Sequence, residues 1–222
     1  EMLSPLLKST NPSIGIYARV DGVHARIGAK ADTEEEAWRL IQPVEEETRR
    51  ILGPIIWGAD DDTLEGVIGG MLAERRLTLA TMESCTGGLL ASTITDVDGS
   101  SSYFKGGHVA YTAQMKIDLG VSGELIERHG VISSEVACDM ARAVRESLCA
   151  DYGIGITGVA GGEPVEGPPP GTMHIAVQPP PADAERISYT FYQGRPATKR
   201  RAVTSALFLL RRALLARPPS VT

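Results

Sequence analysis

Between Leu77 and Ile94 the chain runs Leu-Thr-Leu-Ala-Thr-Met-Glu, then Ser84-Cys85-Thr86, then Gly87-Gly88, then Leu-Leu-Ala-Ser-Thr-Ile. An apolar, β-branched run stops at Glu83, a compact polar turn follows, and two glycines lead into a helical stretch. The segment reads as strand, tight turn, helix. It gathers a hydroxyl, a thiol and backbone N–H groups at a helix N-terminus, a place that binds anions or oxyanions and can hold a nucleophile.

The chain around it keeps alternating. A helix capped at Asp62 or Thr63 runs to about Arg76. After the turn come a strand around His108–Thr112, a helix from Ser133 to about Ala150 and an apolar strand at Gly153–Ile156. A proline-rich loop over Gly161–Gly171, strands at Thr172–Val177 and Ile187–Tyr192, and a helix from about Ala197 to Ala216 complete the order. Such alternation predicts a three-layer α/β/α sandwich with a mixed sheet. The apolar last helix is read as core, with a dimer surface as the alternative.

A separate pattern precedes Asp60. Residues 1–10 read as a frayed lead-in. Ile14–Val20 and Val23–Ala31 flank Asp21-Gly22, a strong hairpin signal. Thr33-x-x-Glu36 is a capping box opening a helix that stops at Gly53-Pro54, and Ile55-Ile56-Trp57 reads as a short strand. The expectation is a small β-β-α-β domain over 1–59 and a larger domain over 60–222.

Bulk properties exclude several functions. With 42% hydrophobic and 23% charged residues, the 222-residue chain can bury a real core. A net charge of −6 argues against a nucleic-acid or membrane-surface partner. Cys85, Cys138 and Cys149 are too scattered for a disulfide framework, and no His/Cys spacing suggests a metal site. Without a signal peptide or a run of about 18 apolar residues, a cytoplasmic location is expected. The chain begins with Glu rather than Met and is read as a fragment or processed form.

Three places carry potential chemistry. Ser84 reads either as a nucleophile with N–H groups of Thr86, Gly87 and Gly88 beside it, or as a plain helix cap with Thr86 as the other capping candidate. Cys85 competes as nucleophile, but a cysteine there is more often a small buried hydrophobe. His24, His108, His129 and His174 are poorly placed as bases, which leaves Tyr111 with Lys116 as the alternative proton carriers. Thr157-Gly158-Val159-Ala160-Gly161 follows an apolar strand and suits either phosphate contact or a simple turn. Lys199-Arg200-Arg201 opens the last helix, where cations oppose the dipole; a phosphate contact and a solvated surface cluster are both open.

Taken in order, these segments resemble the CinA family, in particular its carboxy-terminal domain, whose stand-alone versions are nicotinamide-nucleotide amidases. The matching residues are Ala80–Gly88, Gly99-Ser100-Ser101 with Phe104 and Gly106-Gly107, Val109-Ala110-Tyr111 with Lys116, and Leu119-Gly120-Val121. They continue through His129–Ser133, Ala150–Gly153, Thr157–Gly161, Pro170-Gly171-Thr172 and Gly194. The first unit resembles the family's KH-like middle domain in Asn11-Pro12 and Thr33–Ala37, although it lacks a Gly-x-x-Gly loop.

The resemblance implies hydrolysis of the carboxamide of nicotinamide mononucleotide to nicotinate mononucleotide and ammonia. Ser84 would attack, Lys116 and Tyr111 would move protons, and N–H groups near Thr86–Gly88 would stabilise the oxyanion. Ser101, the loop holding Thr157, Gly158, Ala160 and Gly161, and Arg200 would hold the ribose phosphate. No cofactor or metal is implied, and a homodimer is expected. Two departures stand out: Gly194-Arg195-Pro196 replaces the usual Gly-Asp-Arg, and Glu163–Gly167 brings two carboxylates where a lysine is usual. They motivate an alternative, a pyridine-nucleotide-binding regulatory module with weakened turnover. An RNA-binding role for the small domain is a third reading, disfavoured by the acidic balance.

Overall fold

The structure, a computed structural model, describes residues 2–19, 21–162, 167–180 and 183–217. It divides into two compact units, residues 1–62 and 63–222.

In the first unit β1 (Ser13–Arg19) and β2 (Gly22–Gly28) form an antiparallel hairpin, followed by α1 (Glu34–Leu52). Thr33 caps α1, its Oγ1 accepting from the Glu36 N–H at 3.2 Å. Asn11 ties the open end of the hairpin, donating to the Lys30 carbonyl and accepting from its N–H at 2.8 Å. The lead-in is ordered as a 3₁₀ turn at Leu6–Lys8, with Leu3 buried beneath it. The expected strand at Ile55–Trp57 does not form. Gly53–Ile55 is a 3₁₀ turn instead, because Pro54 has no N–H to give a ladder and its fixed φ suits the start of a helical turn. The unit is therefore β-β-α. Val20, expected to end the first strand, lies outside the described residues. Leu3 and Ile14 are the buried hydrophobics of this unit among the described residues. Trp38, Trp57 and His24 line an open groove of about 790 Å³, with the His24 and Trp57 rings 6.4 Å apart and edge-on.

The second unit is a three-layer sandwich. In chain order it holds α2 (Leu64–Glu74), β3 (Leu79–Glu83), α3 (Leu89–Thr95), β4 (Phe104–Val109), α4 (Ala113–Asp118) and α5 (Gly123–His129). Then come α6 (Ser134–Ser147), β5 (Tyr152–Gly158), β6 (Thr172–Gln178), β7 (Glu185–Thr190) and α7 (Arg195–Leu215). The sheet order is β4-β3-β5-β6-β7, parallel from β4 to β5 and antiparallel beyond. Helices α4 and α5 add to the elements expected from the sequence, and β4 starts earlier than expected.

Strand alternation sorts the two faces. Ala80 and Met82 turn toward Val136, Met140 and Val144 of α6. Gly153 and Gly155 lie on that face because α6 passes too close for a side chain. A Cβ on Gly155 would stand 2.1 Å from the Ala137 carbonyl oxygen, and one on Gly153 2.0 Å from that of Ala141. Ile154, Ile156, Met173 and Ile175 are fully buried on the other face, where α7 packs on β5 and β6 and α2 packs on α7. Ala206, Leu207, Leu209, Leu210 and Leu214 of α7 are buried, so this helix is core. Among the described residues no helix is long and apolar enough to cross a membrane.

Candidate active site

The parallel strands β3 and β5 end side by side, and the site grows from their carboxyl ends. The Ser84 N–H still donates to the Ile156 carbonyl at 3.0 Å, so the sheet fixes the serine backbone. The chain then turns back through Gly87 and Gly88, at φ +64° and +90°, conformations that favour glycine.

What caps α3 decides how Ser84 is to be read. Glu83, 1% exposed, reaches forward across the turn and accepts from the N–H groups of Gly88 (3.1 Å), Leu90 (3.0 Å) and Ala91 (2.8 Å). A buried carboxylate on three donors at a helix N-terminus is charge-assisted hydrogen bonding with the dipole in its favour. Neither Ser84 nor Thr86 caps the helix, and the capping reading of both falls.

With that duty removed, the Ser84 hydroxyl faces Lys116, whose Nζ lies 3.1 Å from Oγ. Lys116 reaches it because the chain folds back after β4. Thr112 Oγ1 accepts from the Met115 N–H to start α4, and Nζ also donates to the Ala110 carbonyl at 2.7 Å. Lys116 is fully buried with no carboxylate partner among the described residues. Burial disfavours its charged form and lowers its pKa below the ordinary lysine value. A buried neutral amine beside a serine hydroxyl can take its proton. Cys85 next door is the opposite case. Burial pushes its thiol up to about 11, which keeps it protonated and makes it a poor nucleophile.

Ser84 opens into a cavity of about 220 Å³ shared with Cys85, Tyr111, Val131, Ile132, Arg195 and the strand-end loop Thr157–Gly161. The expected residues Ser84, Tyr111, Thr157, Gly158, Ala160 and Gly161 thus meet at one place. The Thr157 hydroxyl, however, donates to the Val131 carbonyl at 3.0 Å and shapes the wall rather than facing the cavity free. Of the expected oxyanion donors, the Gly88 N–H is held by Glu83 and the Gly87 N–H by the Ser84 carbonyl at 3.1 Å. Only the Thr86 amide of that trio is left to offer, and this is a correction to the wider set.

Two expected substrate contacts are elsewhere. Ser101 sits in the 3₁₀ turn before β4, beside the amino end of β3, while Ser84 follows its carboxyl end. Five strand residues at about 3.3 Å each separate the two ends. Arg200 is exposed and does not line the cavity. The helix places Arg195 and Lys199, four residues apart, on one face and turns Arg200 about 100° from Lys199. Arg195 lines the cavity, its Nη2 donating to the Tyr111 hydroxyl at 3.1 Å. Arg201 stacks on Phe191, 4.0 Å from the ring centre. Glu163 and Glu166, the carboxylates expected near the site, lie outside the described residues. Sequence reasoning missed Glu83 as the cap; the available signal was a lone acid ending an apolar strand just before a Gly-Gly helix start.

An α/β sandwich with a buried Ser–Lys pair at the carboxyl ends of parallel strands is the class that fold and site define. The chain belongs to the CinA family: residues 61–214 match the CinA C-terminal domain and residues 1–58 the damage-inducible protein CinA KH domain. A CinA-like protein of Thermosynechococcus vestitus is 41% identical over 222 residues, covering 98% of this chain and 53% of that protein. One of Frankia casuarinae is 44% identical over 216 residues, covering 97% of this chain and 50% of that protein. The chain therefore spans about half the length of the curated relatives it matches. Among solved structures, a CinA superfamily protein of Klebsiella pneumoniae superposes with a TM-score of 0.67 at 28% identity, covering 69% of this chain and 97% of that one. One from Escherichia coli gives 0.64 at 31% identity, covering 74% and 98%.

Proposed function

We propose that the larger unit is a serine–lysine amidohydrolase acting on the carboxamide of nicotinamide mononucleotide. The observation that carries this reading is the buried 3.1 Å contact between Ser84 Oγ and Lys116 Nζ at the floor of the cavity. An apolar cavity of about 150 Å³ can hold a benzene ring. The cavity of about 220 Å³ therefore suits a carboxamide-bearing ring, while the rest of a nucleotide extends through its mouth.

In this reading neutral Lys116 accepts the Ser84 proton as Oγ bonds to the carboxamide carbon. The Thr86 amide is the donor left to stabilise the developing oxyanion. The tetrahedral intermediate then expels ammonia, which takes the proton from Lys116, and leaves an ester on Ser84. Water, deprotonated by Lys116, attacks that ester; nicotinate mononucleotide departs and the proton returns to Ser84. Tyr111 assists proton movement at the rim, with Arg195 holding its hydroxyl.

The test is ammonia release from nicotinamide mononucleotide by the wild type and by Ser84→Ala. Turnover with matching nicotinate mononucleotide, lost in the variant, supports the reading. Binding without ammonia release would leave a pyridine-nucleotide-binding module in its place. A cytoplasmic homodimer belongs to the same proposal, and light scattering of the purified chain tests the dimer.

A further inference from the structure

On the amidase reading the cavity encloses only the reacting end of a nucleotide, and two cations lie nearby, one in its lining and one beside the Gly87 turn. Arg195 lines it directly, and its Cβ lies 3.2 Å from where a Cβ on Gly161 would stand. Lys199 brings its Nζ to 3.5 Å from where a Cβ on Gly87 would stand, so it lies over the turn that carries Ser84. The two residues share one face of α7. Among the described residues neither has a carboxylate within ion-pair distance, whereas Arg142, Arg186 and Arg212 do. They also sit in the first turns of a 21-residue helix, where cations oppose the dipole. Helix stability does not account for them.

We infer that Arg195 and Lys199 form a clamp for the phosphate monoester of the substrate. The inference rests on the amidase reading and deepens it by naming what selects a nucleotide over a nucleoside. The Arg195 guanidinium offers a planar fork for two phosphate oxygens, and the Lys199 ammonium adds a point charge from the Gly87 side. Tyr111 orients the fork by accepting one of its N–H groups. The clamp replaces Arg200 in the role expected of it.

The experiment compares ammonia release from nicotinamide mononucleotide and from its dephosphorylated nucleoside, for the wild type, Arg195→Gln, Lys199→Gln and the double variant. Each single change lowers kcat/KM for the nucleotide about 10-fold more than for the nucleoside, chiefly through KM. Equal losses on both substrates, or no loss on the nucleotide, would overturn the clamp. If neither substrate releases ammonia, the amidase reading fails by itself. The clamp is then judged by titrating inorganic phosphate into the wild type and the double variant by calorimetry. Binding lost in the double variant supports it, and equal or absent binding in both overturns it.

Discussion

The floor and the rim of the cavity are built on opposite principles. At the floor Glu83, Ser84 and Lys116 are buried, and each polar atom named there has a stated partner within 3.1 Å. At the rim Tyr111 is 59% exposed, and Arg195 is likewise open to solvent, its side chain donating to the Tyr111 hydroxyl. A buried amine without a carboxylate is costly to the fold, and a protein that keeps one is using it. The rim carries little structural cost and little structural value, so substitutions there are tolerated by the fold. On the amidase proposal, reaction chemistry belongs to the buried half and substrate choice to the open half.

Ser84→Ala should show the sharpest contrast. Turnover falls by about 10³-fold or more while the melting temperature stays put, because Glu83 rather than Ser84 caps α3. A large drop in melting temperature would show that the floor serine is structural after all.

Lys116→Met removes the proposed base and a buried ionisable amine together. Activity is lost to a similar extent, yet stability rises by about 1 to 2 kcal/mol. The sign follows from burial. The native pKa lies below the ordinary lysine value, so between the two the unfolded chain binds a proton that the native state does not. Wild-type stability therefore climbs with pH over that window, and the variant lacks this contribution in denaturant titrations across pH. Wild-type kcat likewise rises with pH as Lys116 loses its proton.

Glu83→Leu acts on the fold first. It strands three N–H groups in a buried turn and costs about 3 kcal/mol, read from urea melts. Tyr111→Phe is the mildest of these changes. It frees the Arg195 fork without removing a charge and lowers kcat/KM about 10-fold. Should Tyr111→Phe match Ser84→Ala in effect, the division between floor and rim would be wrong.

Much of this arrangement was legible in the residues, and the reasons for the exceptions are physical. Segments whose identity is set by local pattern emerged readily: the Asp21-Gly22 hairpin, the strand–turn–helix at Glu83–Gly88 and the apolar strand leading into Thr157. Lys116 could be nominated because few other bases were available, but its meeting with Ser84 depends on the β4–α4 reversal, which spacing does not reveal. Glu83 was hidden because a carboxylate that bonds forward across two glycines leaves no periodic trace. Ser101 failed because adjacency in motif order says nothing about which end of a strand a turn occupies. Arg200 misses the cavity because a helix turns about 100° per position and only every third or fourth residue faces the same way. The close approach of α6 at Gly153 and Gly155 likewise needs the fold to explain it.

The most direct test of the account is ammonia release from nicotinamide mononucleotide by Lys116→Met. The account predicts a folded protein, more stable than the wild type, that releases no ammonia above background while the wild type turns over. Turnover by this variant near the wild-type rate would contradict it, because the buried lysine would then have neither a chemical role nor a structural one.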